Sequence, residues 1–315
     1  MMLWDKLIWP LLRLIASISV GLMVANLIES LNWTRRIALL ARPLVRFGHL
    51  SDISGASFSM AVFSGVSANT LLAEAYDQQK LSKTELVLAN LFNSLPTYFV
   101  HLPTMFFITV PMIKGAAVIY VGLTLFAALL RTFSIIVVSR LLLPKPVRED
   151  SAGRDGGRMG IDWREAMRKS WIRFKKRIRK ILLVTVPIYI VIYAMNRVGF
   201  FRELEQATSA YLSFIPGLTP HSVGIITLQM ASELTAGVAA AGALLQDGVM
   251  EHREIILALL VGNILSSPLR AVRHQFPYYA GIFRPKVATE LIVCSQAFRV
   301  FSLILVAIGY WMYSF

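Results

Sequence analysis

The sequence predicts an all-α polytopic membrane protein made of two halves of like design. Three observations predict it. Apolar residues make up 56% of the 315 residues, and the mean hydropathy is +0.61, a balance suited to a lipid-embedded chain rather than a soluble domain. The apolar runs are too many and too long to be signal peptides, and Met1 to Lys6 lacks a basic leader. One stretch also occurs twice: a small-residue segment, a short polar loop, and an apolar run interrupted by Asn, Ser and Pro. Its first copy holds Ser64-Gly65-Val66-Ser67-Ala68-Asn69 and Ala89-Asn90-Leu91-Phe92-Asn93-Ser94-Leu95-Pro96. Its second holds Ser232-Glu233-Leu234-Thr235-Ala236-Gly237 and Gly262-Asn263-Ile264-Leu265-Ser266-Ser267-Pro268. Hydrocarbon offers no partner to freed backbone groups, so such interruptions persist where they line a cavity or pack inside protein. Paired interrupted segments in two corresponding halves point to a transporter's binding site.

Taken in order, Leu7 to Glu29 reads as the first span. Asn32 to His49 interleaves Arg35, Arg36, Arg42 and Arg46 with apolar residues, the pattern of a helix lying in the interface. Asp52 to Tyr76 is too rich in Gly, Ala and Ser for a lipid-facing span and reads as a re-entrant helical hairpin. Glu85 to Val110 is a span broken near Asn93 to Pro96, and Gly115 to Leu143 is a long span. Lys145 to Gly160 is a polar linker. From Asp162 to Lys180, Trp163, Met167, Trp171, Phe174 and Ile178 share one helical face and the basic residues take the other, as on a helix resting against an anionic leaflet. That helix leads into the span Ile181 to Val198. The order then recurs: surface helix Phe201 to Phe214, hairpin His221 to Leu245, broken span Glu254 to Phe276, final span Val287 to Tyr313.

Register supports duplication. Leu50 to Asn69 aligns without gaps on Leu218 to Gly237. Asn90, Ser94 and His101 match Asn263, Ser267 and His274 at one common separation, and Leu130-Arg131-Thr132-Phe133-Ser134 matches Phe298-Arg299-Val300-Phe301-Ser302. The predicted organisation is a first repeat over 1–143, a basic linker and amphipathic helix over 144–180, and a second repeat over 181–315. That makes about six spans plus two hairpins. With re-entrant hairpins each half crosses three times, so the halves lie in opposite orientation, an inverted repeat. The positive-inside rule then places the linker, Arg35 to Arg46, Lys80 to Lys83 and Arg284 to Lys286 in the cytoplasm and both termini outside, in a cytoplasmic (inner) membrane.

The net charge of +14 does not imply nucleic acid. Thirteen Lys and Arg stand against five Asp and Glu between Pro144 and Lys180, so more than half of the excess flanks the membrane. Its expected partner is anionic lipid. Cys294 is the one cysteine, which excludes a disulfide framework and a cysteine metal cluster. No His/Cys/Asp/Glu cluster has ligand spacing, and there is neither a nucleophile motif nor a Gly-rich phosphate loop. No metal, cofactor or enzymatic activity is expected.

Arg131 and Arg299 are the first candidates for function. Each lies about a dozen residues from the end of its span, close to the bilayer midplane at about 1.5 Å per residue. A charge there costs roughly 2.5–3.5 kcal/mol on insertion scales and marks a functional site by default. The alternatives are a guanidinium that caps freed carbonyls, one that pairs with Glu233 or Glu290, and one that snorkels to the interface. Asn90, Asn93 and Ser94, with Asn263, Ser266 and Ser267, offer neutral donors and acceptors beside backbone expected to be unwound, or bonds between helices. Hairpin residues Ser64, Ser67 and Asn69, with Glu233 and Thr235, are expected to meet near the centre. Glu233 could bind a cation, carry a proton, or bridge to Arg299.

These features resemble the nucleoside-recognition (Gate) domain group. It includes the concentrative nucleoside transporters, the membrane part of the ferrous iron transporter FeoB, and the spore maturation proteins A and B. Asn263-Ile264-Leu265-Ser266 is similar to the unwound Asn-x-x-Ser motif in the second half of those nucleoside transporters, and Glu233 resembles the acid of their second hairpin. The resemblance implies two opposed hairpins and two unwound helices around a substrate. Where those transporters carry Gly-Gln-Thr-Glu, this chain reads Gly65-Val66-Ser67-Ala68, without the groups that grip a base or cation. The expected function is therefore a transporter or permease for a small polar solute, with Arg131 and Arg299 suiting an anion and Glu233 offering coupling to Na+ or H+. The alternatives are a non-transporting scaffold or assembly partner, and a flippase for a lipid-linked substrate. Surface helices and small-residue spans would accommodate a homodimer.

Overall fold

The computed structural model describes residues 41–145, 163–199, 218–232 and 234–314, with isolated positions between 4 and 23 and between 203 and 207. The first span (7–29), most of the first surface helix, the linker (145–160), the second surface helix (201–214) and Glu233 lie wholly or largely outside the described residues.

The described chain is all-helical, with no strand. α1 (Arg42–Phe47) precedes a helical pair, α2 (Asp52–Ala61) and α3 (Gly65–Asp77). α4 (Lys83–Phe92) and α5 (Ser94–Ile113) follow, then α6 (Gly115–Leu142) and α7 (Trp163–Arg197). A second pair, α8 (Pro220–Ser232) and α9 (Leu234–Gln246), leads to α10 (His252–Arg270), a π-helical turn (Ala271–Gln275), α11 (Phe276–Phe283) and α12 (Pro285–Ser314). Among the described residues, three stretches are long and apolar enough to cross a membrane: Gly115–Leu142, His252–Phe283 and Pro285–Ser314. The chain has the make-up of an integral membrane protein.

Sequence chemistry explains the boundaries. Ser51 opens α2, where its hydroxyl accepts the Ser54 N–H, and Ser64 opens α3 by accepting the Ser67 N–H at 3.1 Å. Each satisfies a backbone donor that the first helical turn leaves without a partner. Glu85 adds a long-range anchor: its Oε1 accepts both the Ser51 N–H and the Ser54 hydroxyl at 2.8 Å. α4 and α5 are separated at Asn93, as the sequence predicts for this span. Pro96 thus falls in the first turn of α5, where its missing N–H costs nothing. The Asn93 carbonyl accepts both the Thr97 N–H at 3.3 Å and the Thr97 hydroxyl at 2.8 Å.

The second span differs from expectation. Asn263 to Pro268 is not unwound; α10 runs through it unbroken, with Pro268 inside the helix. Proline removes one bond and crowds the carbonyl four residues back. Here the irregularity falls later, in the wide turn at Ala271–Gln275, a common form of accommodation in a long helix. Up to that point α10 keeps its helical hydrogen bonding, with Ile255, Ile256, Ala258, Leu259 and Leu260 all buried.

Local geometry recurs between the halves at matching places in the element order. Thr219 and Ser222 repeat the Ser51–Ser54 cap, with Thr219 Oγ1 accepting the Ser222 N–H at 3.2 Å. The Thr227 hydroxyl donates to the carbonyl four residues back, as Ser59 does. Ser82 caps the Glu85 N–H at the start of α4, and Glu254 accepts the Glu251 N–H at the start of α10. Left-handed residues close equivalent helices: Gln79 after α3 and Gly248 after α9, Lys114 after α5 and Arg284 after α11. Lys114 and Arg284 are single-residue corners, each followed at once by the next helix.

The chain forms two compact units, each drawing on both halves of the sequence. The first comprises Met1–Thr97, Thr132–Val186 and Tyr278–Leu291; the second comprises Tyr98–Arg131, Pro187–Pro277 and Ile292–Phe315. The core of the second gathers Ile113, Ala117, Tyr120, Ile225, Ile226, Val238 and Leu259. Close approach there depends on small residues: a Cβ at Gly242 would lie 2.7 Å from the Met112 carbonyl oxygen. α6 shows how such a span divides its faces. Ala117, Tyr120, Val121, Thr124, Ala127, Ala128 and Arg131 are buried, while Val118, Ile119, Phe126, Leu129 and Phe133 are exposed. Polar residues take the protein side and bulky apolar ones the side suited to lipid.

Candidate functional site

Among the described residues, each unit contains a buried polar cluster, and together they account for most of the residues singled out by sequence. In the first unit, Asn90 of α4 donates through Nδ2 to Asn69 Oδ1 of α3 at 2.9 Å and to the Tyr279 hydroxyl of α11 at 3.2 Å. Asn93, at the helix break, donates to Ser57 Oγ at 2.7 Å, and Ser57 passes the chain on to the Ala68 carbonyl at 3.1 Å. Ser57, Asn69, Asn90 and Asn93 are all buried. The Asn93 carbonyl oxygen of the side chain has no hydrogen-bond partner. Ser64 and Ser67 hydrogen-bond to each other at 3.0 Å as part of the α3 cap. Ser94 opens α5.

The second unit carries the cations. Arg131 stands inside α6 and Arg299 inside α12, each about 17–24 Å along the axis from either helix end at 1.5 Å per residue. Arg131 is buried and Arg299 partly exposed. Asn263 Oδ1 accepts from Arg270 Nη2 at 3.0 Å and meets Arg299 Nη2 at 3.5 Å. One neutral oxygen thus faces two guanidinium groups. The charges of Arg299 and Arg270 act on one another, as do those of Arg131 and Arg299. Glu290, one acid considered as a partner for these arginines, is bound instead to Lys83 at 2.6 Å. Glu233 lies outside the described residues, and Thr235 sits in the first turn of α9.

Beside these cations lie open polar groups. Ser267 Oγ donates to Gln296 Oε1 at 2.7 Å, but the Ser266 hydroxyl, buried one residue earlier, has no partner. Both side-chain polar atoms of Gln229, on α8, and the hydroxyl of Tyr120, on α6, are likewise fully buried without a partner. Gln229 and Tyr120 lie close enough for each to serve as the other's partner. Gln229 is wedged between two glycines. A Cβ at Gly237 would lie 2.8 Å from its Cβ, and a Cβ at Gly262 would fall on its Oε1. Buried polar groups are ordinarily bonded, and each exception asks for an explanation.

Sequence reasoning missed Gln229, Tyr120 and Gln296. Arg270 reaches back two turns to Asn263, the direction in which helical side chains lean. The available signal for Gln229 was a lone amide in an apolar run, with Gly237 and Gly262 in the elements that follow.

Among known proteins, the chain is similar to three from Methanocaldococcus jannaschii. The uncharacterized protein MJ0871 is 27% identical over 278 residues, covering 87% of this chain and 84% of that protein. The uncharacterized protein MJ1556 is 23% identical over 89% of this chain and 88% of its own length. The uncharacterized protein MJ0880 is 20% identical over 87% of this chain and 88% of its own length. No family model matches the chain, and no solved structure matches it.

Proposed function

We propose that the protein is a membrane permease for a small polar solute, with its binding group in the second unit. The observation that carries this reading is the meeting of Arg270 and Arg299 at one side-chain oxygen of Asn263, on stretches long and apolar enough to cross a membrane. A guanidinium held midway along an apolar helix, as Arg299 is, suits an anionic solute.

Several features support the wider architecture. The legs of both helical pairs are 10 to 13 residues long, or about 15–20 Å, short of the roughly 30 Å hydrocarbon core. That suits re-entrant hairpins. The recurring caps and left-handed corners support a duplication of Gate-like halves, and the distribution of Lys and Arg favours an inverted arrangement with both termini outside and the linker cytoplasmic. The start of α7 suits an anionic leaflet: Trp163, Met167 and Trp171 are exposed, and Lys175 Nζ lies 5.3 Å over the Trp171 ring. Coupling to Na+ or H+ and a homodimeric state belong to the same proposal.

Uptake into proteoliposomes tests it. Wild-type protein is expected to accumulate an anionic solute from a panel of carboxylates and phosphates, whereas Arg299→Gln and Asn263→Ala insert normally and lose uptake. Unchanged uptake in both variants overturns the reading.

A further inference from the structure

We infer that the α11–α12 corner and the loop end of the first helical pair form an ionic latch, closed by Lys83–Glu290 and Asp77–Arg284 and opened during the working cycle. The inference rests on the permease reading for what the opening serves, but the latch itself stands on the geometry of the first unit.

Two pairs of opposite charge join segments from the two halves of the sequence. Lys83 Nζ, in the first turn of α4, lies 2.6 Å from Glu290 Oε2 in α12. Arg284 Nη2, between α11 and α12, lies 3.9 Å from Asp77 Oδ1 at the last residue of α3. A second, neutral join lies two turns further along α4, where Asn90 donates to the Tyr279 hydroxyl of α11 at 3.2 Å. The two joins differ in kind. Asn90 and Tyr279 are buried. The four charged side chains keep exposed surface, from 33% at Glu290 to 68% at Arg284. Exposed ion pairs are weak and are weakened further by salt. A permanent seam is better made of apolar contact, whereas surface charge suits a join that parts and re-forms. The buried join is the pivot and the charged one the latch.

The backbone of the corner points the same way. Arg284 has φ 69° and is the single residue between α11 and α12. That left-handed conformation favours glycine. The chain instead carries a side chain there, and it is the one that reaches Asp77. The joined segments, near Lys80 to Lys83 and Arg284 to Lys286, are two that the positive-inside rule assigns to the cytoplasm. In that orientation the latch faces the cytoplasm.

The chain supplies its own reporter. Cys294, the one cysteine, lies four residues beyond Glu290 on the same face of α12 and is partly buried. Parting of the latch uncovers that face.

The rate at which N-ethylmaleimide alkylates Cys294 in purified full-length protein in nanodiscs, followed by intact mass, provides the test. Glu290→Gln and Lys83→Gln should each speed alkylation about two- to fivefold, the scale of an exposed ion pair. Combined, they should do no more than either alone. Exchanging the charges, Lys83→Glu with Glu290→Lys, should return the rate to that of the wild type. Arg284→Gly suits the left-handed corner and should speed alkylation with the thermal midpoint maintained. Ionic strength of about 0.5 M should speed alkylation of the wild type and leave Glu290→Gln with Arg284→Gln unchanged. Should a charge variant fail to fold, the wild type decides the matter, since a rate indifferent to salt overturns the latch. So does a wild-type rate in every variant, or a rate that stays raised when the charges are exchanged. Alkylation that behaves as expected in protein that takes up no solute overturns the permease proposal and leaves the latch intact. Uptake with alkylation indifferent to salt and to these changes does the reverse.

Discussion

Replacing Gly262 with alanine places a methyl group on Gln229 Oε1 and 2.9 Å from its Cδ. In an open helix interior the same replacement is favourable by about 0.5–1 kcal/mol, because glycine has more backbone freedom to lose. Here the added carbon drives a fully buried side chain into packed surroundings, and overpacking of this kind costs roughly 1–3 kcal/mol. The clash outweighs the propensity, so Gly262→Ala should lower stability by a net of about 1–2 kcal/mol. In a Gln229→Ala background the obstructing Oε1 and Cδ are gone, and the nearest remaining Gln229 atom is Cβ at 3.4 Å. There Gly262→Ala should become neutral or stabilising. The difference between the two backgrounds, about 1–3 kcal/mol, is the coupling energy of a contacting pair. Thermal unfolding of the two single variants and the double variant in detergent measures it. An equal loss of midpoint in both backgrounds would refute the wedge and remove the physical reason for a glycine at 262.

Three other outcomes are expected. Gly242→Ala should cost roughly 1–3 kcal/mol and should not be rescued by Met112→Ala, because the obstacle 2.7 Å away is the Met112 backbone oxygen; rescue in the double-variant melt would count against this. Glu85→Ala leaves the Ser51 N–H and the Ser54 hydroxyl without their acceptor and should cost about 1–3 kcal/mol, with Glu85→Gln losing less because it keeps a carbonyl oxygen. Lys83→Ala breaks the 2.6 Å pair with Glu290, but those side chains are 54% and 33% exposed, so the change should stay below about 1 kcal/mol and shrink as salt rises; a large, salt-independent drop in midpoint would contradict it.

Much of the helical plan was legible because its signals are local. Ser51, Ser64 and Ser82 begin helices as serine caps do, and apolar runs marked α6 and α12 to within about two residues, the usual uncertainty of helix ends. The break at Asn93 was legible for the same reason, since Pro96 falls where a new helix tolerates it. The matching reading at Pro268 failed. A proline shows that one backbone bond is lost, but where the irregularity settles depends on the packing along the whole of α10. The candidate site was half legible. Arg131 and Arg299 are conspicuous because charge within a span is rare, whereas Gln229 and Tyr120 gain their meaning only from neighbours distant in sequence. That Asn263 bonds to arginines, while its counterpart Asn90 bonds to Asn69 and Tyr279, also depends on what tertiary packing brings to each. In the aligned register Asn69 corresponds to Gly237, so the second half has no amide at that place.

The corner at Lys114 has a mechanical consequence. One left-handed residue at φ 49° is all that separates the end of α5 from the start of α6, and no loop intervenes to take up slack. Any swing of one rod is therefore passed to the other as torque, and the two act as a crank. A spacer of a few glycines inserted after Lys114 would disengage that crank while leaving both rods intact.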